Sequence, residues 1–239
     1  MIFPASNTVK GVHRMDNDVC DMSGVMRSRQ EAKQVYDRIS WLYDFIGGNS
    51  EWPYVREGFD VMSVKSGESI LEIGFGTGRG IIYLAHKVGP YGRIHGIDIS
   101  ENMNRLAAKR VRHEGFEKRV RLICGDAIQL PYHARFFDGI FMSFTLELFD
   151  ISEIPIVLRE CQRVLKPDGR MCLVTLARRS TDNSMVKIYE WLHEKFGKYI
   201  DCRPIAVSHL LITNGFRILK AVDKSIWGIP VEIVLGIKE

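Results

Sequence analysis

The chain shows two kinds of hydrophobic pattern, which alternate from Ser69 onward. Short aliphatic runs predict strands, and segments with apolar residues at helical spacing predict helices. The predicted strands are SILEIG, RIHGIDI, RVRLICGD, FFDGIFMSF and RMCLVTLA. The predicted helices are GIIYLAHKV, ENMNRLAAKRVRHEG and SEIPIVLRECQRVLK, the last ended by Pro167-Asp168-Gly169. This alternation predicts βαβ units and a parallel sheet with helices on both faces.

The C-terminal part adds helices and a hairpin to this sheet. The segments NSMVKIYEWLHEKFGKY and IAVSHLLITNG predict two helices. They precede two strand-like runs, FRILKAVDKSIW and PVEIVLGIK, which are separated by Gly228 and Ile229. The fold prediction is therefore an α/β protein with a Rossmann-like, doubly wound, mostly parallel seven-stranded sheet that ends in an antiparallel hairpin at its edge.

The N-terminal part is helical in pattern. SRQEAKQVYDRISWLYDFIGG predicts one or two amphipathic helices, and Glu51 to Met62 predicts another. A chain of 239 residues is within the length of one α/β domain, which can reach roughly 250 residues. Because the sequence shows no repeat or linker, we expect a single domain over residues 26–239, with residues 26–66 as a helical lid and residues 1–25 as a flexible tail.

Charge and cysteine content narrow the range of partners. The net charge is only +4, and the main basic cluster, Arg105 to Arg121, begins on a predicted helix. Such a run is typical of a solvated helix face, so a nucleic-acid partner is not favoured. The five cysteines are odd in number and scattered, and none forms C-x-x-C or pairs locally with histidine. The sequence therefore predicts neither a disulfide framework nor a metal site.

No segment resembles a leader or a membrane span. The N-terminus lacks a basic region followed by an apolar one, and no stretch approaches the roughly 20 apolar residues that cross a bilayer. We therefore expect a cytoplasmic protein without a membrane span, for which peripheral contact with a membrane stays compatible with the sequence.

A glycine-rich turn carries the strongest functional signal. The buried strand ILEI runs directly into Gly74, Gly76 and Gly78, and the turn opens a helix. Glycines at such a turn let the backbone approach a nucleoside closely. A dinucleotide fingerprint, G-x-G-x-x-G, would need a glycine at position 79, where this chain has Arg79. The shorter loop suits a ligand without a pyrophosphate.

Two acids follow the next strands. Asp98 ends the second strand, where a carboxylate can accept both hydroxyls of an adenosine ribose. Asp126 follows the third strand, where it can meet an adenine amino group. Each residue also has a simpler interpretation: the glycines make a turn, Asp98 is the N-terminal partner of the helix near Ser100, and Asp126 is a loop acid. The ordered combination favours nucleoside binding.

These motifs resemble those of class I S-adenosylmethionine-dependent methyltransferases. More narrowly, VYDRISWLYDF, LEIGFGTG, GIDIS, GDAIQLP, FFDGIFMSF and VLKPDGR resemble the UbiE-like family, whose best-known members C-methylate precursors of ubiquinone and menaquinone. The resemblance runs from about Val35 to about Ala177 and implies S-adenosylmethionine as cofactor, with S-adenosylhomocysteine as product. It implies a cofactor site in which Glu72 orients the methionine end, the glycine loop cradles the cofactor, Asp98 holds the ribose and Asp126 with Ala127 flanks the adenine. Ile99 and Ser143 complete the predicted cofactor set.

Ligands of open α/β sheets bind beyond the carboxyl ends of the strands, so we expect the acceptor near Ser143 to Glu147. The quinone-pathway enzymes typically have an Arg-Asn pair there, whereas this chain has Glu147 nearby. Glu147 could be a base, could bind a cationic acceptor, or could cap the helix near Ser152. The family resemblance implies that Tyr43 packs over the cofactor as part of the lid; alternatively, Tyr43 belongs to an aromatic stripe that buries its helix.

His133 and His193 are further candidates for a catalytic base, although a lone histidine is more often structural or exposed. Trp191, Phe196, Tyr199 and Trp227 form either an acceptor pocket or part of the core. The leading hypothesis is in-line methyl transfer to a small apolar or amphipathic acceptor, such as a quinone-like ring, a lipid or a thiol. The alternatives are a nicotinamide-dependent oxidoreductase, a catalytically silent cofactor-binding scaffold, and a methyltransferase for RNA or protein.

Overall fold

The computed structural model describes residues 48–177, 204–226 and 228–239. Within these residues the predicted strands and helices form in the predicted order. The predictions for residues 1–47, for the helix beginning near residue 183 and for Trp227 lie outside the described residues. The elements are α1 (Gly48–Met62), β1 (Ser69–Ile73), α2 (Arg79–Lys87), β2 (Arg93–Asp98), α3 (Glu101–His113), β3 (Val120–Cys124), β4 (Phe137–Ser143), a 3-10 helix (Leu146–Leu148), α4 (Ile154–Val164), β5 (Leu165–Leu176), α5 (Val207–Thr213), β6 (Phe216–Ile226) and β7 (Ile229–Lys238).

The strands form one seven-stranded sheet in the order β3-β2-β1-β4-β5-β7-β6. Strands β1 to β5 pair in parallel, and β7 pairs antiparallel with both β5 and β6. The predicted fold class, including the hairpin at the sheet edge, is confirmed. The strand order reverses between β1 and β4, and open sheets of this type bind ligands outside the carboxyl ends of the strands at such a switch point.

The turn Pro167-Asp168-Gly169 differs from its predicted place. It lies inside β5 rather than between α4 and β5, because Leu165 already pairs with Phe137. The next pair joins Arg170 to Gly139, so the turn is accommodated as an irregularity of one strand. Asp168 takes a positive φ of 63° there, which a bulged segment tolerates.

The core lies on both faces of the sheet. On one face, α1, α2 and α3 pack against strand residues that include Ile70 and Phe141. On the other face, α4 and α5 pack against residues that include Leu71 and Leu173. Neighbouring strand residues such as Ile70 and Leu71 point to opposite faces, which explains why these strands are apolar throughout. Among the described residues, no helix has the length and apolar character needed to cross a membrane.

Candidate functional site

The loop after β1 combines close packing with an open space. Gly74, Gly76 and Gly78 have φ values of 71°, 52° and 79°, a region that favours glycine. A Cβ atom on Gly74 would lie 2.3 Å from Thr145 Oγ1, and one on Gly78 would lie 2.7 Å from the Cβ of Ala107. A Cβ atom on Gly76 would meet no other described residue within 4 Å. Gly74 and Gly78 therefore allow the loop to pack, whereas Gly76 leaves its backbone open to a ligand.

Asp98 connects this loop to the end of β2. Its Oδ2 accepts the N–H of Gly76 at 2.9 Å, and its Oδ1 accepts the N–H of Ser100 at 2.9 Å. The N-cap of α3 is Ser100, whose hydroxyl accepts the N–H of Met103 at 3.3 Å. Asp98 thus supports the turn before α3 but does not cap the helix. The structure brings this predicted ribose ligand directly against the predicted cofactor loop.

Glu72 is a buried acid near the carboxyl end of β1. Its side chain is only 3% exposed, and among the described residues its Oε2 has no hydrogen-bond partner. Burial, and then the nearby charge of Asp98, hold the pKa of Glu72 well above its usual value. A Cβ atom on Gly80 would lie 2.2 Å from Glu72 Oε1, so the absence of a side chain at Gly80 makes room for this carboxyl. A cationic ligand group would compensate for the burial of this acid.

The ends of β2, β3 and β4 supply the remaining predicted cofactor residues. Asp126 Oδ1 accepts the N–H of Ile128 at 3.0 Å, and Ala127 is buried beside it. Ile99 is exposed after β2. Ser143 ends β4, and its carbonyl accepts the hydroxyl of Thr145 at 2.8 Å. Because these residues follow parallel neighbouring strands, they share one edge of the sheet with the glycine loop.

Glu147 lies on the 3-10 helix that follows β4 and is only 2% exposed. Its Oε1 accepts the N–H of Leu176 at 3.2 Å, and among the described residues its Oε2 has no hydrogen-bond partner. Burial raises its pKa to about 7, against the lowering effect of backbone hydrogen bonds. The N-cap of α4 is Glu153, without a side-chain cap bond, so Glu147 does not cap that helix.

Glu51, in the first turn of α1, is a second acid with a displaced pKa. Burial raises the pKa of Glu51 to about 7, and the charge of Glu51 contributes to the raised pKa of Glu147. The guanidinium of Arg79 lies over the ring of the neighbouring Trp52, with Cζ 4.1 Å from the ring centroid. This contact connects α1 to the start of α2. Sequence reasoning missed Glu51, because an acid in the first turn of a helix is common for reasons of the helix dipole.

Not every predicted residue joins this site. His133 is exposed in the loop before β4, and the adjacent Tyr132 packs against His95 and Phe137 near the amino ends of β2 and β4. The structure therefore does not group His133 with the glycine loop. The other predicted residues, Tyr43, His193, Trp191, Phe196, Tyr199 and Trp227, lie outside the described residues.

Sequence reasoning also missed Gly80 and Thr145. A glycine in the first turn of a helix costs up to about 1 kcal/mol relative to alanine, and that cost was an available signal for Gly80. Thr145 had no such signal, because only the tertiary structure places it against Gly74.

Comparison with known proteins finds similarity over the part of the chain that holds the glycine loop, Asp98 and Glu147. A family model described as a methyltransferase domain matches residues 70–169. The chain is 33% identical over 153 residues to a demethylmenaquinone methyltransferase of Lactobacillus johnsonii, covering 64% of this chain and 60% of that protein. It is 35% identical over 160 residues to a demethylmenaquinone methyltransferase of Bacillus mycoides, covering 63% of this chain and 65% of that protein. The chain thus spans slightly under two thirds of the length of these relatives.

Solved structures share the fold at lower sequence identity. A SAM-dependent methyltransferase from Aquifex aeolicus aligns with a TM-score of 0.59 and 24% identity, covering 77% of this chain and 89% of that one. The [4+2]-cyclase SpnF aligns with a TM-score of 0.71 and 20% identity, covering 90% of this chain and 97% of that one. Because a protein described as a cyclase has the same fold, the fold alone does not decide the reaction.

Proposed function

We propose that this chain, which contains a methyltransferase domain and is similar to the UbiE-like methyltransferases, transfers a methyl group from S-adenosylmethionine to a ring carbon of a quinol. One observation carries the proposal: a glycine loop hydrogen-bonded to Asp98 lies beside the buried carboxyl of Glu72, whose Oε2 has no hydrogen-bond partner among the described residues. This arrangement offers a nucleoside an open backbone and offers a cationic group a compensating acid. S-adenosylmethionine carries both of these groups, so the residues present fit it.

We assign different residues of the proposed cofactor site to different chemical groups of the cofactor. S-adenosylmethionine, when bound, supplies a methyl group on a positively charged sulfur. We assign Glu72 to the cationic methionine end, because a positive ligand favours a buried carboxyl of which one oxygen has no partner in the described ranges. We assign Gly76 and Asp98 to the nucleoside, and we expect the backbone around Gly76 to approach it closely. The other assignments are Gly74 and Gly78 to the shape of the loop, Ile99, Asp126 and Ala127 to the adenine side, and Ser143 to the methionine side.

The acceptor is assigned from the similarity to the relatives named above and from the strand order of the sheet. The relatives named above are demethylmenaquinone methyltransferases, which supports a quinol ring as the acceptor of this chain. The space beyond Ser143 and Glu147 is where an open sheet of this order would receive it. We further propose that residues 26–239 act as one domain, with residues 26–66 and Tyr43 covering the cofactor and residues 1–25 as a tail.

Methyl labelling tests the proposed function. Purified protein is incubated with methyl-labelled S-adenosylmethionine and bacterial cell extract, and label is then counted in lipid-soluble, small polar and macromolecular fractions. We expect label in the lipid-soluble fraction, where a quinol with an isoprenoid chain would be recovered. Label confined to the other fractions would refute the quinol acceptor, and absence of label from all three would refute the methyltransferase activity.

Asp98→Ala tests the cofactor site separately. Because Asp98 holds the loop and is assigned to the ribose, we expect the Kd for S-adenosylmethionine to rise at least about tenfold, equivalent to about 1.4 kcal/mol. Isothermal titration calorimetry measures this change. Asp60→Ala is the matched control, since Asp60 is exposed on α1 and its carboxylate lies 3.9 Å from the ammonium of Lys87. Equal affinities of the two variants would refute the assignment of Asp98.

A further inference from the structure

Two carboxyl groups interact near the carboxyl ends of β4 and β5, outside the residues assigned to the cofactor. Glu147 follows β4, and Glu51 begins α1, which packs against β5. The charge of Glu51 contributes to the raised pKa of Glu147. A pair of acids that interact in this way titrates as a unit and together holds a proton more readily than either acid would alone.

One carboxyl oxygen of this pair has no hydrogen-bond donor within the part of the chain that the structure describes. The N–H of Leu176 fixes Oε1 of Glu147 at 3.2 Å, whereas Oε2 is buried and has no hydrogen-bond partner among the described residues. The residue two positions earlier, Thr145, packs against Gly74 of the cofactor loop. A buried acceptor oxygen without a donor is unfavourable, and a hydroxyl on an acceptor molecule would supply the missing hydrogen bond.

We propose that Glu147 is the catalytic base of the methyl transfer and that its Oε2 accepts the hydroxyl proton of an aromatic acceptor. Glu51 is a positioning residue that acts through Glu147, because its charge favours the retention of a proton by the pair. The inference rests on the proposed function and deepens it, since it names the residue that removes the proton from the hydroxyl of the proposed quinol acceptor.

The proton and electron count of this reaction balances. The O–H bond of the acceptor breaks, the proton passes to Glu147 and the electron pair stays on the ring, which makes the adjacent ring carbon nucleophilic. That carbon forms the new bond to the methyl group while the S–CH₃ bond breaks and its electron pair remains on the sulfur. The hydrogen on the methylated carbon leaves as a proton and re-forms the hydroxyl, and Glu147 releases its own proton to water. One proton is released for each methyl group transferred.

The charges around Glu147 give the base a definite pH dependence. The N–H of Leu176 from β5 and the N–H of Glu147 itself lower its pKa, while burial and the charge of Glu51 from α1 raise it to about 7. A base must be deprotonated to accept a proton, so the turnover rate rises with pH through about 7 and is level above it. Removal of the charge of Glu51 lowers the pKa of Glu147 and moves this rise to lower pH.

The experiment uses methyl-labelled S-adenosylmethionine and a reduced naphthoquinol with a short prenyl chain and one unsubstituted ring position. For Glu147→Gln, we expect kcat to fall at least about 100-fold, as loss of a catalytic base does, while the Kd for S-adenosylmethionine and the thermal unfolding temperature are unchanged. For Glu51→Gln, we expect the acid limb of the pH profile to move to lower pH, because the charge that raises the pKa of Glu147 is gone. Glu57→Gln is the matched control, because Glu57 lies on the same helix and pairs with Lys224 at 2.9 Å.

The possible outcomes separate this inference from the proposed function. If wild-type protein transfers label and Glu147→Gln has the same kcat and pH profile as wild type, the role of Glu147 as a base is wrong. The proposed methyltransferase activity would then still be supported. An increased KM for the acceptor with an unchanged kcat would mean that Glu147 binds the acceptor without removing its proton, which also contradicts the inference. A wild-type protein that labels neither the naphthoquinol nor any extract fraction would refute the proposed function and this inference with it.

Discussion

At the scale of single residues, Glu72 and Gly80 depend on each other. Glu72 is 3% exposed, and the position of its carboxyl leaves no room for a side chain at Gly80, where a Cβ atom would lie 2.2 Å from Oε1. Nearby, Asp98 accepts the N–H of Gly76 and contributes to the raised pKa of Glu72. The site therefore places two acids close together at the switch point, an arrangement that a positively charged ligand stabilises.

Gly80→Ala is expected to weaken cofactor binding with little effect on folding. Alanine favours a helix by up to about 1 kcal/mol, and the atom that it contacts is the movable end of a side chain. We therefore expect the carboxyl of Glu72 to shift, the Kd for S-adenosylmethionine to rise at least about tenfold, and the free energy of unfolding to change by less than about 1 kcal/mol. Calorimetry and urea unfolding measure the two effects.

Gly236→Ala is the control for this substitution. A Cβ atom on Gly236 would lie 3.4 Å from the Cβ of Phe216, an ordinary contact far from the glycine loop in the sheet order. If Gly80→Ala binds S-adenosylmethionine as tightly as Gly236→Ala does, the assignment of Glu72 to the cofactor is wrong.

At the scale of elements, two glycines of the β1–α2 connection have different roles, one in helix packing and one in the proposed binding of the ligand. Gly78 has a φ of 79° and approaches Ala107, so it lets α2 and α3 pack closely. Gly76 also has a positive φ, but no described residue lies within 4 Å of the place where its side chain would be. Position 78 thus requires glycine mainly because the helices pack closely there. Position 76 requires glycine because of its backbone conformation and because of the proposed ligand.

Alanine substitutions at Gly76 and Gly78 are expected to have opposite main effects. Both would incur a cost of about 1 to 2 kcal/mol for the left-handed conformation. Gly78→Ala would add about 1 to 3 kcal/mol because its Cβ would lie 2.7 Å from that of Ala107. We expect Gly78→Ala to be the less stable protein in urea unfolding, and Gly76→Ala to fold but to lose affinity for S-adenosylmethionine. Tight cofactor binding by folded Gly76→Ala would contradict the assignment of the open space.

At the scale of the whole molecule, Arg170 joins three elements at the edge opposite the site. Its guanidinium makes two parallel bonds to the carboxylate of Glu68, at 2.7 and 2.9 Å. It also donates to the carbonyls of Met62 at 2.6 Å and of Ser63 at 3.1 Å. These contacts fix the end of α1 and the start of β1 against β5. Because the ion pair is only 16% and 14% exposed, solvent screens it little.

Arg170→Met is expected to destabilise the protein by about 3 to 5 kcal/mol, since it leaves Glu68 partly buried without its partner. The double variant Arg170→Met with Glu68→Gln should recover part of this loss, because the unpaired charge is gone. Urea unfolding of the four proteins of this cycle gives the coupling energy. The Kd for S-adenosylmethionine of the folded protein should not change, as the pair lies at the amino edge of β1 and the site at the carboxyl edge. A stability unchanged in the single variant would contradict this account.

The sequence by itself determined the fold class and much of the candidate cofactor site. Apolar runs and helical periodicity are local properties, and they identified all seven strands of the described sheet. Glycines after a strand and acids at strand ends are also local signals, and the parallel sheet brings Gly76 and Asp98 together as those signals predict. The place of the turn at Asp168 was wrong, because a pairing between distant residues, Leu165 and Phe137, extends β5 through it.

Only the tertiary structure decided which acids are buried and which of them interact. Burial and charge coupling depend on elements that are distant in the sequence: Glu147 is held by Leu176 of β5 and influenced by Glu51 of α1. No spacing rule connects these three residues, so the sequence left Glu147 with three alternative roles and did not indicate Glu51. The same reason applies to Thr145 and Gly80, whose importance comes from what lies next to them in space. Local patterns specify elements, whereas desolvation and packing, which set the chemistry of a side chain, arise only when those elements meet.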